Sequence, residues 1–174
     1  GVAPYNEIAM AIPVMVNTAF GPPVLPMILD SFSRFGYYIV GMPVTSFENQ
    51  IRGNKIWGLP KVTQRIDMES QGGDSVTTAY EENGDPYLTI RVPRQGKPAQ
   101  FDVSSFLYSR LNGNILRSET NFKDTLNVVK HMDLLFKKGV RPDKKYIEIG
   151  DTPSTKMLHE LEIEEHPFQL RYAE

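Results

Sequence analysis

The feature that most constrains the fold of this chain is an alternation of apolar residues at every second position, interrupted at short intervals by turn residues. The segment Tyr87–Pro93 alternates in this way, and Asn112-Gly113 is the dipeptide most typical of a tight β-hairpin. A period of two places successive side chains on opposite faces of a strand. We therefore predict a mainly β chain, arranged as an antiparallel sheet or barrel, with a few short helices such as one over Pro153–Leu161.

Length, charge and composition restrict the class of protein. The 174 residues are 40% apolar and 23% charged, which is ordinary for one globular domain. A net charge of −2 provides no positive field that would attract nucleic acid. The longest apolar run, Ile8–Val16, is half the roughly 20 residues that a membrane helix needs. We expect neither nucleic acid nor a membrane as a partner.

The content of cysteine and histidine argues against a metal centre. There are no cysteines, which excludes a disulfide framework and is consistent with a reducing compartment, so we expect a cytoplasmic protein. The three histidines do not have the paired spacing of metal ligands, and we expect no metal.

The chain begins with a segment that is expected to be ordered almost from its first residue. It starts Gly-Val-Ala-Pro without a methionine, and a strand is predicted over Tyr5–Val16. We expect residues 1–174 to form a single domain that lacks an N-terminal segment. In the predicted strand the even positions are bulky and apolar, whereas Glu7 shares the odd face with Tyr5 and two alanines. If both faces are covered, the odd face lines a space.

A second strand is predicted over Tyr37–Thr45. It is apolar at both odd and even positions, which is typical of a strand that is buried on both faces. Pro43 lacks an N–H and therefore favours an edge or a bulge at that point.

The segment from Gly53 to Lys61 differs from the rest of the chain. It contains the only tryptophan, and Pro60 stiffens the backbone immediately before Lys61. If this loop folds inward, burial lowers the pKa of the lysine and frees an amine that can attack a carbonyl. The alternative is a turn whose lysine points into water, and spacing alone favours it because lysine is almost never buried unpaired.

Two segments resemble the acetoacetate decarboxylase superfamily. Trp57–Lys61 resembles its reactive-lysine motif, W-G-x-P-K, and residues 5–14 resemble its strand of the form Y-x-E-x-x-x-A-I-P-V. Tyr38 also keeps the expected spacing to Lys61. The resemblance covers most of the chain, and the W-G-x-P-K segment is its most specific part.

This resemblance implies a closed, cone-shaped antiparallel β-barrel and a cofactor-independent carbon–carbon lyase that assembles into a homo-oligomer. Lys61 matches the Schiff-base lysine, and Glu7 matches the carboxylate that lines the pocket. The implied activity is decarboxylation of a small β-keto acid. Alternatives are an aldolase or dehydratase that uses the same lysine, and a non-catalytic barrel that binds a small ligand. Further residues expected at the pocket are Tyr5, Met42, Arg52, Trp57 and Leu59.

The sequence departs from the family pattern close to the reactive lysine. The family's Arg-Glu pair is Asn54-Lys55 here, and Val62 stands where decarboxylases have a second lysine. Without that second cation, desolvation must lower the pKa of Lys61. We expect the Lys61 amine in a cavity within a few ångströms of the Glu7 carboxylate, with its pKa lowered; a close Glu7 anion would raise the pKa instead.

Overall fold

The structure, a computed structural model, describes residues 3–16, 35–137, 139 and 141–173. The chain divides into two compact units. The first comprises Gly1–Thr63 and Asp102–Phe122, and the second comprises Gln64–Phe101 and Lys123–Glu174. The arrangement of residues 1–174 as a single domain therefore stays a prediction.

The first unit contains the strands β1 (Met10–Met15), β2 (Phe35–Val44) and β3 (Lys61–Thr63), with parts of the long strands β7 (Lys97–Leu111) and β8 (Asn114–Lys130). β2 is central in this arrangement. It pairs with β1 in antiparallel orientation on one edge, and with β7 and then β3 in parallel orientation on the other. A short helix, α1 (Phe47–Arg52), and a π-helical turn over Gly53–Trp57 connect β2 to β3.

The second unit contains an antiparallel sheet in the order β4 (Arg65–Gln71), β5 (Asp74–Tyr80), β6 (Pro86–Pro93) and β9 (Ile147–Ile149). In the same unit, β10 (Gln169–Tyr172) pairs with the end of β8. Its helical segments are α2 (Asp133–Phe136), a 3-10 turn over Pro153–Thr155 and α3 (Lys156–Glu160), so the helix expected over Pro153–Leu161 is confirmed. Among the described residues, no helix has the length and apolar character needed to cross a membrane.

The predicted hairpin at Asn112-Gly113 is confirmed. Both residues have positive φ angles, 50° and 82°, as a two-residue turn between right-twisted strands requires. They join β7 to β8. The alternation expected over Tyr87–Pro93 corresponds to β6.

The strand predicted over Tyr5–Val16 is shorter than expected, because β1 begins only at Met10. Ahead of it, Glu7 forms an isolated antiparallel bridge to Val44 of β2. Within β1 the register shifts between Met10, opposite Gly41, and Ala11, opposite Ile39, which marks a bulge.

The prediction of a closed antiparallel barrel is wrong for the part of the chain that the structure describes, where no sheet closes on itself. β2 also pairs in parallel with two neighbours, so the sheet is mixed. Of the edge or bulge expected at Pro43, the edge is wrong, since β2 has partners on both edges and the Pro43 carbonyl accepts a hydrogen bond from Ile8 N at 3.1 Å. The bulge of β2 lies a few residues earlier, between Ile39 and Gly41. Alternation identifies a strand and its faces but gives neither its partner nor its direction.

The core of the first unit lies on β2. Ile39, Met42 and Val44 are buried together, and Tyr5, Leu59 and Leu107 pack against them. Each fully buried side chain of this kind contributes about 1.5–3 kcal/mol to stability. This core fixes the strand from which the candidate site is built.

Candidate active site

Two strand pairings place Lys61 and Glu7 on the same face of β2. Lys61 lies opposite Met42 in the parallel ladder, and Glu7 lies opposite Val44 on the other edge. Met42 and Val44 are two residues apart and therefore share a face. Because residues that lie directly opposite each other in a ladder also share a face, the lysine and the glutamate approach each other across β2.

The Lys61 amine and the Glu7 carboxylate are in direct contact. Lys61 Nζ lies 2.6 Å from Glu7 Oε2, and their side chains are 7% and 29% exposed. Tyr5, two residues before Glu7, donates its hydroxyl to Oε2 at 3.2 Å and accepts from Lys61 Nζ at 3.4 Å. The expected burial and proximity are confirmed, and the enclosing cavity stays a prediction.

The expected fall in the pKa of Lys61 is wrong. Burial by itself lowers the pKa of this amine, but the hydrogen bond and charge of Glu7, with a further contribution from Tyr5, raise it above the ordinary value of 10.5. The carboxylate and the Tyr5 hydroxyl together stabilise the ammonium more than burial disfavours it. At neutral pH the resting site therefore holds a charged lysine paired with Glu7.

Two residues that the sequence prediction missed hold Lys61 in place. Gly53 is buried against its aliphatic chain, and a Cβ added there would lie 2.5 Å from Lys61 Cδ. The Asn54 amide binds the Lys61 backbone, accepting from its N–H at 3.0 Å and donating to its carbonyl at 3.1 Å. Their position at the start of the lysine motif is the sequence signal that could have indicated them.

The loop between the π-helical turn and β3 is fixed by backbone contacts. The turn ends at Gly58, whose φ of 60° and close approach to Arg110 leave no room for a side chain. Ser109 donates its hydroxyl to the Trp57 carbonyl at 2.5 Å, and Leu59 N donates to the Gly53 carbonyl at 3.1 Å. These contacts determine where β3, and with it Lys61, begins.

The other predicted pocket residues lie in three different environments. Met42, opposite Lys61 in the ladder, is buried in the core, and Leu59 packs against that core. Trp57 is 53% exposed, and its part in a pocket stays a prediction. Arg52 does not join the lysine: it forms an exposed ion pair with Glu48 at 2.6 Å.

The donor set suits carbonyl chemistry better than metal binding. It consists of one amine, one carboxylate and one phenol, which can add to a carbonyl and exchange protons. In the described residues, no three histidine, aspartate or glutamate side chains are grouped as metal ligands would be.

Comparisons with known proteins agree with the fold. No curated protein matches the sequence. The structure is similar to the crystal structure of acetoacetate decarboxylase from Legionella pneumophila subsp. pneumophila strain Philadelphia 1, with 11% identity and a TM-score of 0.56. It is equally similar, at 13% identity and a TM-score of 0.56, to a structure from a study of acetoacetate decarboxylase. At these identities the likeness shows the fold alone.

The matched structures are longer than this chain. Each comparison covers 96% of this chain but only 61% and 63% of the other, so the chain spans about three fifths of the length of the structures it matches. The family model for acetoacetate decarboxylase matches residues 1–167. Because that match extends over nearly the whole sequence, the chain belongs to the acetoacetate decarboxylase family.

Proposed function

We propose that this chain carries the active site of a decarboxylase-like carbon–carbon lyase, which acts on a small β-keto acid through a Schiff base on Lys61 and needs no cofactor. The observation that supports the proposal is the buried Lys61 amine, 2.6 Å from the Glu7 carboxylate. A lysine in this position has a proton acceptor in contact and lies opposite Met42, a buried residue of the core. Membership of the acetoacetate decarboxylase family supports the same chemistry.

The reaction starts from the charged pair. When the substrate ketone enters, Lys61 transfers a proton to Glu7, and the neutral amine adds to the carbonyl carbon. The carbonyl oxygen takes up the two protons that leave nitrogen, by way of Glu7, and departs as water. The products are an iminium on Lys61 and a Glu7 carboxylate restored to its resting charge, so protons and charge balance.

The iminium then accepts electrons. The bond between the α-carbon and the carboxylate breaks, CO2 leaves, and the bonding pair forms an enamine whose nitrogen is neutral. A proton taken from solvent adds to the enamine carbon and restores the iminium. Water then hydrolyses the iminium, its oxygen becoming the ketone oxygen and its two hydrogens returning Lys61 to the ammonium. Tyr5, hydrogen-bonded to the same Glu7 oxygen as the amine, keeps that oxygen oriented during these transfers.

One observation favours a second candidate function. Because the pKa of Lys61 is raised, most of the resting protein holds an ammonium, which is not a nucleophile. A stable ammonium–carboxylate pair suits a pocket that binds a small carbonyl compound or keto acid without reacting.

Reductive trapping separates the two candidates. The protein is incubated with acetoacetate or pyruvate and borohydride, and the modified peptide is located by mass spectrometry. We expect an adduct on Lys61 that is absent in Lys61→Met and unchanged in Lys55→Met, which removes an exposed lysine of the same loop. No adduct, or an adduct elsewhere, would overturn the lyase. Release of CO2 in the same assay distinguishes a decarboxylase from an aldolase or dehydratase.

A further inference from the structure

One side chain binds both backbone groups of the reactive lysine. Asn54 Oδ1 accepts from Lys61 N at 3.0 Å, and Asn54 Nδ2 donates to Lys61 O at 3.1 Å. The Lys61 N–H is shared with the Leu59 carbonyl at 2.8 Å. Lys61 is the first residue of a strand of only three residues, whose ladder to β2 also has only three pairs.

The residue before Asn54 contacts the side chain of the lysine rather than its backbone. Gly53 lies against the aliphatic chain of Lys61, at a distance that leaves no space for a methyl group. Both residues belong to the π-helical turn, a rare conformation that is found frequently at functional sites. The turn therefore fixes the backbone of Lys61 through Asn54 and the path of its side chain through Gly53.

We propose that Asn54 is a positioning residue that aims the Lys61 amine at Glu7 and at the substrate carbonyl; its meaning for catalysis rests on the function proposed above. The lysine side chain is long, so a small rotation of its backbone displaces the amine considerably. A rotation of about 10° at its Cα moves Nζ by about 1 Å, given ordinary bond lengths. A displacement of that size at a reacting group can cost about 100-fold in rate.

The chain offers a matched control for this contact. Asn83, in the loop between β5 and β6, also uses both ends of its amide on one residue, accepting from Asp85 N at 3.0 Å and donating to Asp85 Oδ2 at 2.7 Å. It belongs to the other compact unit. Asn83→Ala therefore removes an equivalent loop contact without touching Lys61.

The test measures the reactivity of the Lys61 amine, first without substrate and then with it. Competitive labelling by acetic anhydride across pH, read for each lysine by mass spectrometry, reports the reactivity and titration of Lys61. Reductive trapping with acetoacetate reports imine formation. In Asn54→Ala we expect Lys61 to be labelled faster, with a pH profile that moves down from its raised pKa towards the ordinary lysine value of 10.5, and trapping to fall about 10- to 100-fold. Asn54→Gln, which keeps donor and acceptor on a longer arm, should recover part of both.

Each outcome supports or overturns the proposal. Labelling and trapping unchanged in Asn54→Ala, or changed equally in Asn83→Ala, would show that Asn54 has no special relation to the amine. If the wild-type protein forms no adduct while Asn54→Ala still alters the labelling of Lys61, the proposed function fails and the positioning stands. If the wild-type adduct forms and Asn54→Ala traps at the same rate, the positioning fails and the function stands.

Discussion

Replacing Glu7 with glutamine tests how strongly the carboxylate holds the charged lysine. The substitution keeps the shape of the side chain and removes its charge, which leaves the Lys61 ammonium buried without a counterion. At 2.6 Å, Coulomb attraction with an effective dielectric constant of about 20 amounts to about 6 kcal/mol before desolvation is subtracted. Breaking a fully buried pair costs about 3–5 kcal/mol, and breaking an exposed pair costs less than about 1 kcal/mol.

The exposure of the two partners places this pair between those limits. Lys61 is 7% exposed but Glu7 is 29% exposed, so we expect Glu7→Gln to lower the free energy of unfolding by about 2 kcal/mol near pH 7. For a protein of this size that corresponds to a fall in Tm of about 4–8 °C. Thermal and urea unfolding measure it.

The direction in which this stability difference changes with pH follows from the pKa of Lys61. The folded-state pKa of Lys61 is raised above 10.5, so the stability from the pair is fully present below pH 10.5 and is lost as pH rises through the folded value. The difference between wild type and Glu7→Gln should therefore close at high pH. In the variant burial, which lowers the pKa of the amine, is opposed by Tyr5 but no longer by the Glu7 charge, and the pH profile of reductive trapping should move to lower pH.

Glu48→Gln provides the control. Glu48 pairs with Arg52 at the same distance of 2.6 Å, but both side chains are more than half exposed, and we expect a change below about 1 kcal/mol. Equal stability of wild type and Glu7→Gln at pH 7, or a trapping profile that does not move, would refute the assignment of Lys61 as an ammonium held by Glu7.

Three further predictions concern single residues: Gly53, Tyr87 and Gly113. Gly53→Ala should cost about 1–3 kcal/mol through its clash with the Lys61 chain, and most of that cost should vanish in a Lys61→Ala background; an additive double-mutant cycle would contradict the clash. Tyr87 donates to Gln64 Oε1 at 2.6 Å, and burial raises its pKa to about 12. Its contribution to stability should be lost as pH rises from 10 through 12, and Tyr87→Phe should remove the last step of the ultraviolet tyrosine titration; a titration identical to wild type would assign that step elsewhere. Gly113→Ala should lower the free energy of unfolding by about 1 kcal/mol, because φ is 82° and no atom within 4 Å would meet the new methyl group. Unchanged urea unfolding would show that the turn does not need this conformation.

The strands were predictable because each depends on local pattern, whereas the pairing of Lys61 with Glu7 was indicated by the resemblance to the acetoacetate decarboxylase family. Alternation placed Tyr5 and Glu7 on one face, and the lysine motif indicated the partner. The turn at Asn112-Gly113 follows from the two residue types that tolerate a positive φ. These signals require no knowledge of distant pairing.

The remaining features depend on non-local geometry. The parallel pairing of β2 with β3 and β7 and the register shift at Met10 are set by which segments meet, and periodicity does not encode this. The pKa of Lys61 depends on a balance between burial and Glu7, whose effects have opposite signs. The place of Asn54 at the start of the lysine motif indicates that it is near Lys61, but its role depends on its side-chain direction within a π-helical turn, which sequence position does not give.

The placement of Glu7 and Lys61 on opposite edges of one strand has a consequence for folding kinetics. The two residues are 54 positions apart in sequence, and each reaches the site only when its own edge of β2 has been paired. Contacts of such separation carry a loop-closure cost that short hairpins avoid, so they form late. During refolding, the hairpin of β7 and β8 should therefore appear before Lys61 acquires its shifted titration, and recovery of that titration marks completion of the first unit.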